Sequence, residues 1–175
     1  MLPKGTKGSG VKLLAIDPSS TATGYAVFEG DQLVTWDVVK PLSRLRPDQK
    51  VTFIVDAVGY IGIRLGIEAM AIEQPFNNPR QRNHAYHLTY QAIIGVAKGN
   101  GWKVAPLHNS TVRAAVRPKL PGVSQWPAKA QITAGVVSLY PQVCADQDQN
   151  AIDAIAVGHC YLAREYEKNL EKRMF

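Results

Sequence analysis

Short apolar runs at the start of the chain predict the strands of a sheet. Residues 11–16 form a compact apolar run that ends at an Asp-Pro pair, which is typical of a buried strand followed by a turn. Residues 23–29 and 32–38 flank a Gly-Asp pair, and this arrangement predicts a hairpin that continues from the first strand. The chain therefore begins with three predicted antiparallel strands.

Helices that alternate with strands are predicted for the rest of the chain. Apolar residues recur on one helical face across residues 48–65, and a short buried strand at 69–72 ends at Glu73. The remaining predicted elements are a loop at 74–82, a helix at 83–98, a strand at 103–107, a short helix at 110–116, a loop at 118–126, a helix at 127–140 that begins with Pro127, and a final helix from 149 to 172. This order predicts an α/β fold with a mixed sheet.

A length of 175 residues suits a single domain. We expect residues 1–10 to form a flexible tail, because they lack the apolar segment of a signal peptide, and residues 11–175 to form the domain. The hydrophobic share of 46% and the charged share of 19% are those of a globular protein. No stretch of about 18 residues is free of charge, so no membrane-spanning helix is predicted.

Two cysteines, Cys144 and Cys160, fit neither a disulfide framework nor a CxxC metal pair. We therefore expect a reducing compartment, which is the cytoplasm of a bacterial cell or of an infected host cell.

The charges of the chain are distributed unevenly. The net charge is +6, and residues 74–145 contain eight Lys or Arg residues but no Asp or Glu. A segment of this length with one sign of charge predicts a surface for a polyanion such as nucleic acid, where phosphate contacts supply affinity. The alternative is a basic face that only aids solubility.

Two acidic residues occupy positions where sites commonly form in such sheets, and a third lies on a predicted helix. Asp17 ends the first predicted strand and Glu73 ends the fourth, each directly after buried apolar residues. Ligands bind beyond the carboxyl ends of strands in open α/β sheets, so these two carboxylates converge if their strands are neighbours. Asp153 lies on the early turns of the last predicted helix.

These acids favour a metal site. Carboxylates that are held together repel one another unless a cation bridges them. Mg²⁺ prefers oxygen ligands, and two such ions about 3.5–4 Å apart activate a water and stabilise the leaving oxygen in phosphodiester cleavage. Each acid also has a plainer interpretation, because Asp17 can be a turn former and Asp153 can charge the first turns of a helix.

Four segments of the chain, in order, resemble the motifs of RuvC-type Holliday-junction resolvases. Ile16-Asp17-Pro-Ser-Ser-Thr-Ala-Thr-Gly24 resembles the first motif, and Ile72-Glu73-Gln-Pro-Phe76 resembles the second. Arg113 and Lys129 are similar to the basic pair that follows the fifth strand. Asn150-Ala-Ile-Asp153-Ala-Ile-Ala-Val-Gly-His159 resembles the last motif, and the resemblance as a whole runs from residue 12 to residue 162.

This resemblance implies a ribonuclease H-like nuclease domain and a homodimer with two-fold symmetry. It also implies nicking of four-way junction DNA that depends on Mg²⁺, with two ions per site and Mn²⁺ as a substitute. By position, Asp17, Glu73 and Asp153 are then the catalytic metal ligands. Arg113 and the catalytic Lys129 match basic residues near the scissile phosphate. Phe76 matches the aromatic residue that stacks at the open junction centre, although it can also pack under its own loop. The other residues that we expect to bind DNA are Arg80, Arg82, Arg117 and Lys119.

The main departure from the family pattern is Asn150, which stands where the family has Asp or His. Asn150 can contribute one carbonyl oxygen to the metal and the catalytic set, but it has no charge and cannot act as a base. Either Asp146 or Asp148 supplies the missing ligand, or the activity of the enzyme is reduced. A smaller departure is Ser19, where the family has Gly.

The predicted helix at residues 83–98 has a smooth row of residues suited to a dimer interface. The row contains Ala85, Leu88, Ala92, Gly95 and the adjacent Val96. The alternative is that this row faces its own sheet. If the row forms the interface, the residues that face the sheet are Tyr86, Tyr90, Ile93 and Ala97.

Three functions remain open from the sequence. The first is a structure-selective endonuclease that resolves four-way junctions, of bacterial or bacteriophage origin. The second is a relative that holds junctions without cutting them, which Asn150 makes plausible. The third is a phosphotransferase of the sugar-kinase or actin type, whose two-domain cleft a chain of 175 residues cannot supply. The sequence indicates neither the preferred cleavage sequence nor a partner branch-migration helicase.

Overall fold

The burial of the strands explains their order in the sheet. The computed structural model describes residues 10–75, 84–119 and 122–174. The five strands are β1 (Lys12–Asp17), β2 (Thr23–Glu29), β3 (Gln32–Val39), β4 (Ala69–Glu73) and β5 (Lys103–Leu107), and they lie in the order β3-β2-β1-β4-β5. The inner residues of β1 and β4 are buried on both faces, as interior strands require, whereas the edge strands β3 and β5 are partly exposed.

The sheet is mixed, as predicted. Strand β2 is antiparallel to both β1 and β3, whereas β4 lies parallel to β1, and β5 lies parallel to β4. Ile16 of β1 is opposite Ile72 of β4, so the residues that follow them, Asp17 and Glu73, end their strands at the same edge of the sheet. The neighbouring strands that the convergence of these two acids requires are therefore present.

In the described part of the chain, five α-helices cover the two faces of the sheet. They are α1 (Pro47–Leu65), α2 (His84–Gly99), α3 (Asn109–Val116), α4 (Ala128–Leu139) and α5 (Gln149–Met174). Alternation along β1 divides its side chains between the faces. Leu14 and Ile16 pack with α1 and α2 in one core, whereas Leu13 and Ala15 pack with α3, α4 and α5 in the other.

The observed elements differ from the predicted ones mainly at their ends. Pro47 is the first residue of α1, and α5 continues to Met174. Pro127 precedes α4 instead of beginning it, with an extended backbone that lets Ala128 start the helix. A 3₁₀ turn at Val123–Gln125 interrupts the predicted loop at 118–126, because Gly122 adopts a positive φ of 74° and turns the chain.

Two other predictions concern the ends of the chain and the membrane. In the part of the chain that the structure describes, no helix is long and apolar enough to cross a membrane. Residues 1–9, where most of the tail was predicted, lie outside the described residues, and so does Asn83, where the second predicted helix begins.

Candidate active site

Three carboxylates lie near one edge of the sheet. Asp17 is the last residue of β1, Glu73 is the last residue of β4, and Asp153 lies in the second turn of α5. Helix α5 comes close enough because Gly24, opposite Asp17 on β2, has no side chain. A Cβ atom at Gly24 would overlap the backbone carbonyl of Asn150. The neighbouring strand ends that the predicted convergence of Asp17 and Glu73 requires are therefore present, and α5 brings the predicted third acid, Asp153, toward the same edge.

The electrostatics of the three acids show that they share one environment. Burial raises the pKa of Asp17 well above its usual range, and the carboxylates of Asp153 and Glu73 raise it further. Burial also raises the pKa of Glu73, with a further contribution from Asp153. The pKa of Asp153 is raised by burial as well. Bringing three mutually repelling carboxylates out of water costs free energy, which a bound cation would offset.

Two neutral amides, which the sequence did not indicate, donate hydrogen bonds to these acids. Asn109 Nδ2 donates to Glu73 Oε1 at 2.9 Å, and Gln149 Nε2 donates to Asp153 Oδ1 at 2.8 Å. Each hydrogen bond lowers the pKa of its carboxyl and so opposes the effect of burial. No sequence motif marks either amide, because each is recognised only by what it touches.

Tyr86 on α2 is a further neighbour of the acids that the sequence assigned to packing. Burial raises the pKa of its phenol above the usual range, and the carboxylates of Asp17 and Glu73 raise it further. The phenol is therefore neutral at physiological pH and retains its hydroxyl proton.

Among the basic residues with predicted roles, Lys129 is electrostatically coupled to the acids. It lies in the first turn of α4, is exposed, and lowers the pKa of both Asp17 and Asp153. Arg113 on α3 is exposed, and so are Arg117 and Lys119 in the segment that follows α3. The predicted DNA-binding residues Phe76, Arg80 and Arg82 lie outside the described residues.

Asn150 lies three residues before Asp153, but its side chain is hydrogen-bonded to Asp148. Its Nδ2 atom donates to Asp148 Oδ1 at 3.0 Å, and its backbone N–H donates to the same oxygen at 3.0 Å. Asp148 Oδ2 also forms a salt bridge of 2.6 Å with Lys40 Nζ, which follows β3. This ion pair and the hydrogen bonds from Asn150 lower the pKa of Asp148. Asp146, the other acid predicted as a possible ligand, is exposed.

The donor set at this edge of the sheet is chemically suited to a hard divalent cation. Asp17, Glu73 and Asp153 offer only oxygen atoms, which are the ligands that Mg²⁺ prefers. Within residues 10–75, 84–119 and 122–174, no three His, Cys, Asp or Glu side chains are already gathered around one point that could hold an ion. The acids thus form a negatively charged environment, in which the carboxylate of Glu73 accepts from Asn109 and that of Asp153 accepts from Gln149.

Comparison with known proteins gives a family match over most of the chain. The family described as Crossover junction endodeoxyribonuclease RuvC matches residues 13–161. The structure of Thermus thermophilus RuvC in complex with a Holliday junction substrate is similar, with a TM-score of 0.72 and 22% sequence identity over 89% of this chain and 96% of that one. A second T. thermophilus RuvC structure has a TM-score of 0.69 at 22% identity, with the same coverage of 89% and 96%.

The yeast mitochondrial Holliday junction resolvase Ydc2 is more distant. Its TM-score is 0.55 at 8% identity, over 97% of this chain and 89% of its own. No curated protein matches this chain. The similar structures share the ribonuclease H-like fold, so the predicted fold is confirmed.

Proposed function

Because this chain belongs to the RuvC family of crossover junction endodeoxyribonucleases, we propose that it resolves four-way DNA junctions by paired phosphodiester hydrolysis at the edge of the sheet where Asp17, Glu73 and Asp153 meet. Dependence on a divalent metal is general to the family, and the finer proposal is that this chain uses Mg²⁺, with two ions per site and Mn²⁺ as a substitute. The observation that carries the proposal is the position of the three carboxylates near one edge of the sheet, at the ends of β1 and β4 and in the second turn of α5, where partial burial and mutual repulsion raise the pKa of Asp17.

Each residue of the site has a part in the proposed reaction. Asp17, Glu73 and Asp153 would hold the cations, which when bound lower the pKa of a water and stabilise charge on the leaving oxygen. Lys129 provides an exposed ammonium group beside Asp17 and Asp153, where it would stabilise negative charge that develops on the scissile phosphate. The partial burial of the carboxylates lowers the local dielectric and strengthens these electrostatic interactions.

We propose that junction DNA lies across the acid-free basic segment. Arg113, Arg117, Lys119 and Lys129 are all exposed and can contact phosphates. Arg80 and Arg82 belong to the same segment and are proposed as phosphate contacts, with Phe76 proposed to stack on unpaired bases. The positive charge of the segment then supplies binding affinity, because each neutralised phosphate releases counterions.

The protein is proposed to act as a homodimer, since a junction has two strands to cut at symmetric positions. On α2, Tyr90, Ile93 and Ala97 are buried in the core, and Val96, which was predicted beside the interface row, also packs against that core, near Gly59 of α1. Leu88, in contrast, is 49% exposed, and Gly95 is exposed. The predicted interface row is therefore open to a partner along part of its length.

A second function is favoured by Asn150, which brings no charge to the site and whose amide is bonded to Asp148. Under this alternative the chain binds junctions but cuts them slowly. The phosphotransferase alternative is not favoured, since a nuclease family matches residues 13–161.

The experiment that tests the proposal separates junction binding from cleavage. Binding to a labelled four-way junction is measured in EDTA, and nicking is then followed after Mg²⁺ is added. Asp17→Asn, Glu73→Gln and Asp153→Asn are each expected to lower nicking by about a thousandfold, because loss of a metal ligand removes several kcal/mol of transition-state stabilisation. Junction binding should be kept or tightened, because each variant removes repulsion of phosphate.

Asp56→Asn is the matched control, because Asp56 is an exposed acid on α1. It should nick like the wild type. Normal nicking by any of the three acid variants would remove that acid from the site, and absence of junction binding by the wild type would refute the proposed function.

A further inference from the structure

Neutral amides hold two of the site carboxylates in place. We propose that Gln149 and Asn109 are positioning residues, each of which occupies one oxygen of its carboxylate, at Asp153 and Glu73 respectively, and so leaves the other oxygen to face a divalent cation. This inference rests on the proposed function, because it concerns the same metal site. It adds to that function a set of residues that no family motif in the sequence includes.

The orientation of Gln149 is determined by a second residue, Thr133. The Thr133 hydroxyl donates to Gln149 Oε1 at 3.2 Å, and Gln149 Nε2 donates to Asp153 Oδ1 at 2.8 Å. Since the amide oxygen already accepts from Thr133, the amide nitrogen is the end that faces Asp153. Thr133 and Gln149 thus form a chain of two hydrogen bonds that links α4 to the carboxylate on α5.

Asn109 holds Glu73 from a different direction. It is the first residue of α3, directly after the short connection from β5, and its Nδ2 atom donates to Glu73 Oε1 at 2.9 Å. The backbone keeps this pair together, because Glu73 is opposite Leu107 in the sheet and the N–H of Gln74 donates to the Leu107 carbonyl at 2.8 Å. The pairing of β4 with β5 therefore keeps Asn109, which follows β5, close to Glu73, which ends β4.

The neutrality of these donors matters for the chemistry. Among the salt bridges of the described residues, none involves Glu73 or Asp153. A lysine or arginine in place of either amide would neutralise the carboxylate and compete with the cation. An amide fixes the orientation of the carboxylate and leaves its full charge, which is the role of hydrogen-bonded partners behind metal ligands.

The test is Mn²⁺ binding to the DNA-free protein, measured by calorimetry, with junction nicking measured as a function of Mn²⁺ concentration. Gln149→Ala and Asn109→Ala are each expected to weaken Mn²⁺ binding by about tenfold, the lower end of the effect of losing such a partner. Each variant should raise the Mn²⁺ concentration needed for half-maximal nicking by a larger factor than it lowers the nicking rate at saturating Mn²⁺. A merely structural role would not produce this split.

Thr133 supplies the sharper part of the test. Thr133→Val should weaken Mn²⁺ binding in the same direction as Gln149→Ala, and Thr133→Ser, which keeps the hydroxyl, should restore it. The double variant Thr133→Val with Gln149→Ala should bind no more weakly than Gln149→Ala alone, because Thr133 acts through Gln149. If Gln149→Ala lowers folding yield, the Thr133 variants test the same chain of hydrogen bonds.

The controls are Asn100→Ala and Thr52→Val, which remove an amide and a hydroxyl that donate to backbone carbonyls of α2 and α1, respectively, at exposed positions. Both should bind Mn²⁺ like the wild type. The inference is overturned if Gln149→Ala, Asn109→Ala and Thr133→Val all bind Mn²⁺ normally while Asp153→Asn does not, a result that leaves the proposed function intact. Absence of Mn²⁺ binding by the wild type overturns both.

Discussion

Substitution of Gly24 tests whether the contact between β2 and α5 positions Asp153, the third acid of the site. In Gly24→Ala, the new Cβ would lie closer than 3.0 Å to the backbone O and C atoms of Asn150, a distance that real Cβ atoms essentially never show. Non-bonded atoms settle at about 3.5 Å, so the first turn of α5 must move by about 1 Å or more. The obstacle is backbone, which cannot rotate away as a side chain can.

The consequences for stability and for activity differ in size. Overpacking of this kind costs about 1–3 kcal/mol of the free energy of unfolding, measured by urea denaturation in EDTA. A displacement of about 1 Å at a catalytic group lowers the rate by about a hundredfold, so the loss of junction nicking should exceed what the loss of folded protein explains. Nicking is therefore measured per folded molecule, at a temperature where both variants remain folded.

Gly62→Ala is the matched control. Its Cβ would overlap the ring of Trp102, in the core on the opposite face of the sheet from α5. It should therefore lose stability by a comparable amount but nick junctions at nearly the wild-type rate. If Gly24→Ala nicks within about threefold of Gly62→Ala, far short of the expected hundredfold loss, the contact with Gly24 does not position Asp153.

Three further predictions concern charge and assembly. In EDTA, Asp17→Asn should have a higher melting temperature than the wild type at about pH 8 but not at about pH 4. The folded-state pKa of Asp17 is raised, so its ionised form destabilises the wild type as the pH rises. An equal difference in melting temperature at both pH values would contradict this. Asn150→Asp should raise Mg²⁺-dependent nicking by about a hundredfold. It should also lower metal-free stability, because the new carboxylate would face Asp148, and unchanged nicking would contradict a weakened site. Leu88→Glu should convert the proposed dimer to a monomer in sedimentation, whereas Leu139→Glu, at a 41% exposed position on α4, should not.

Much of the fold could be predicted from local patterns. The apolar run of β1 and the paired runs of β2 and β3 predicted the antiparallel part of the sheet, and helical spacing predicted α1. Such patterns work because hydrogen bonds within a helix, and the alternation of side chains along a strand, depend on residues a few positions apart. The predicted ends of elements were less accurate, as Pro127 before α4 shows. The 3₁₀ turn at Val123–Gln125 was not predicted, because it depends on the conformation of a single glycine.

For the site, the sequence by itself determined which acids end the strands and that the segment at 74–145 has only basic charges. Only the tertiary structure decided what surrounds those acids. The amide of Asn109 meets Glu73 across 36 residues of chain, and the salt bridge of Lys40 with Asp148 joins the end of β3 to the start of α5. Contacts of this kind depend on how strands and helices pack, and a single amide or lysine carries no periodic pattern that would reveal its partner.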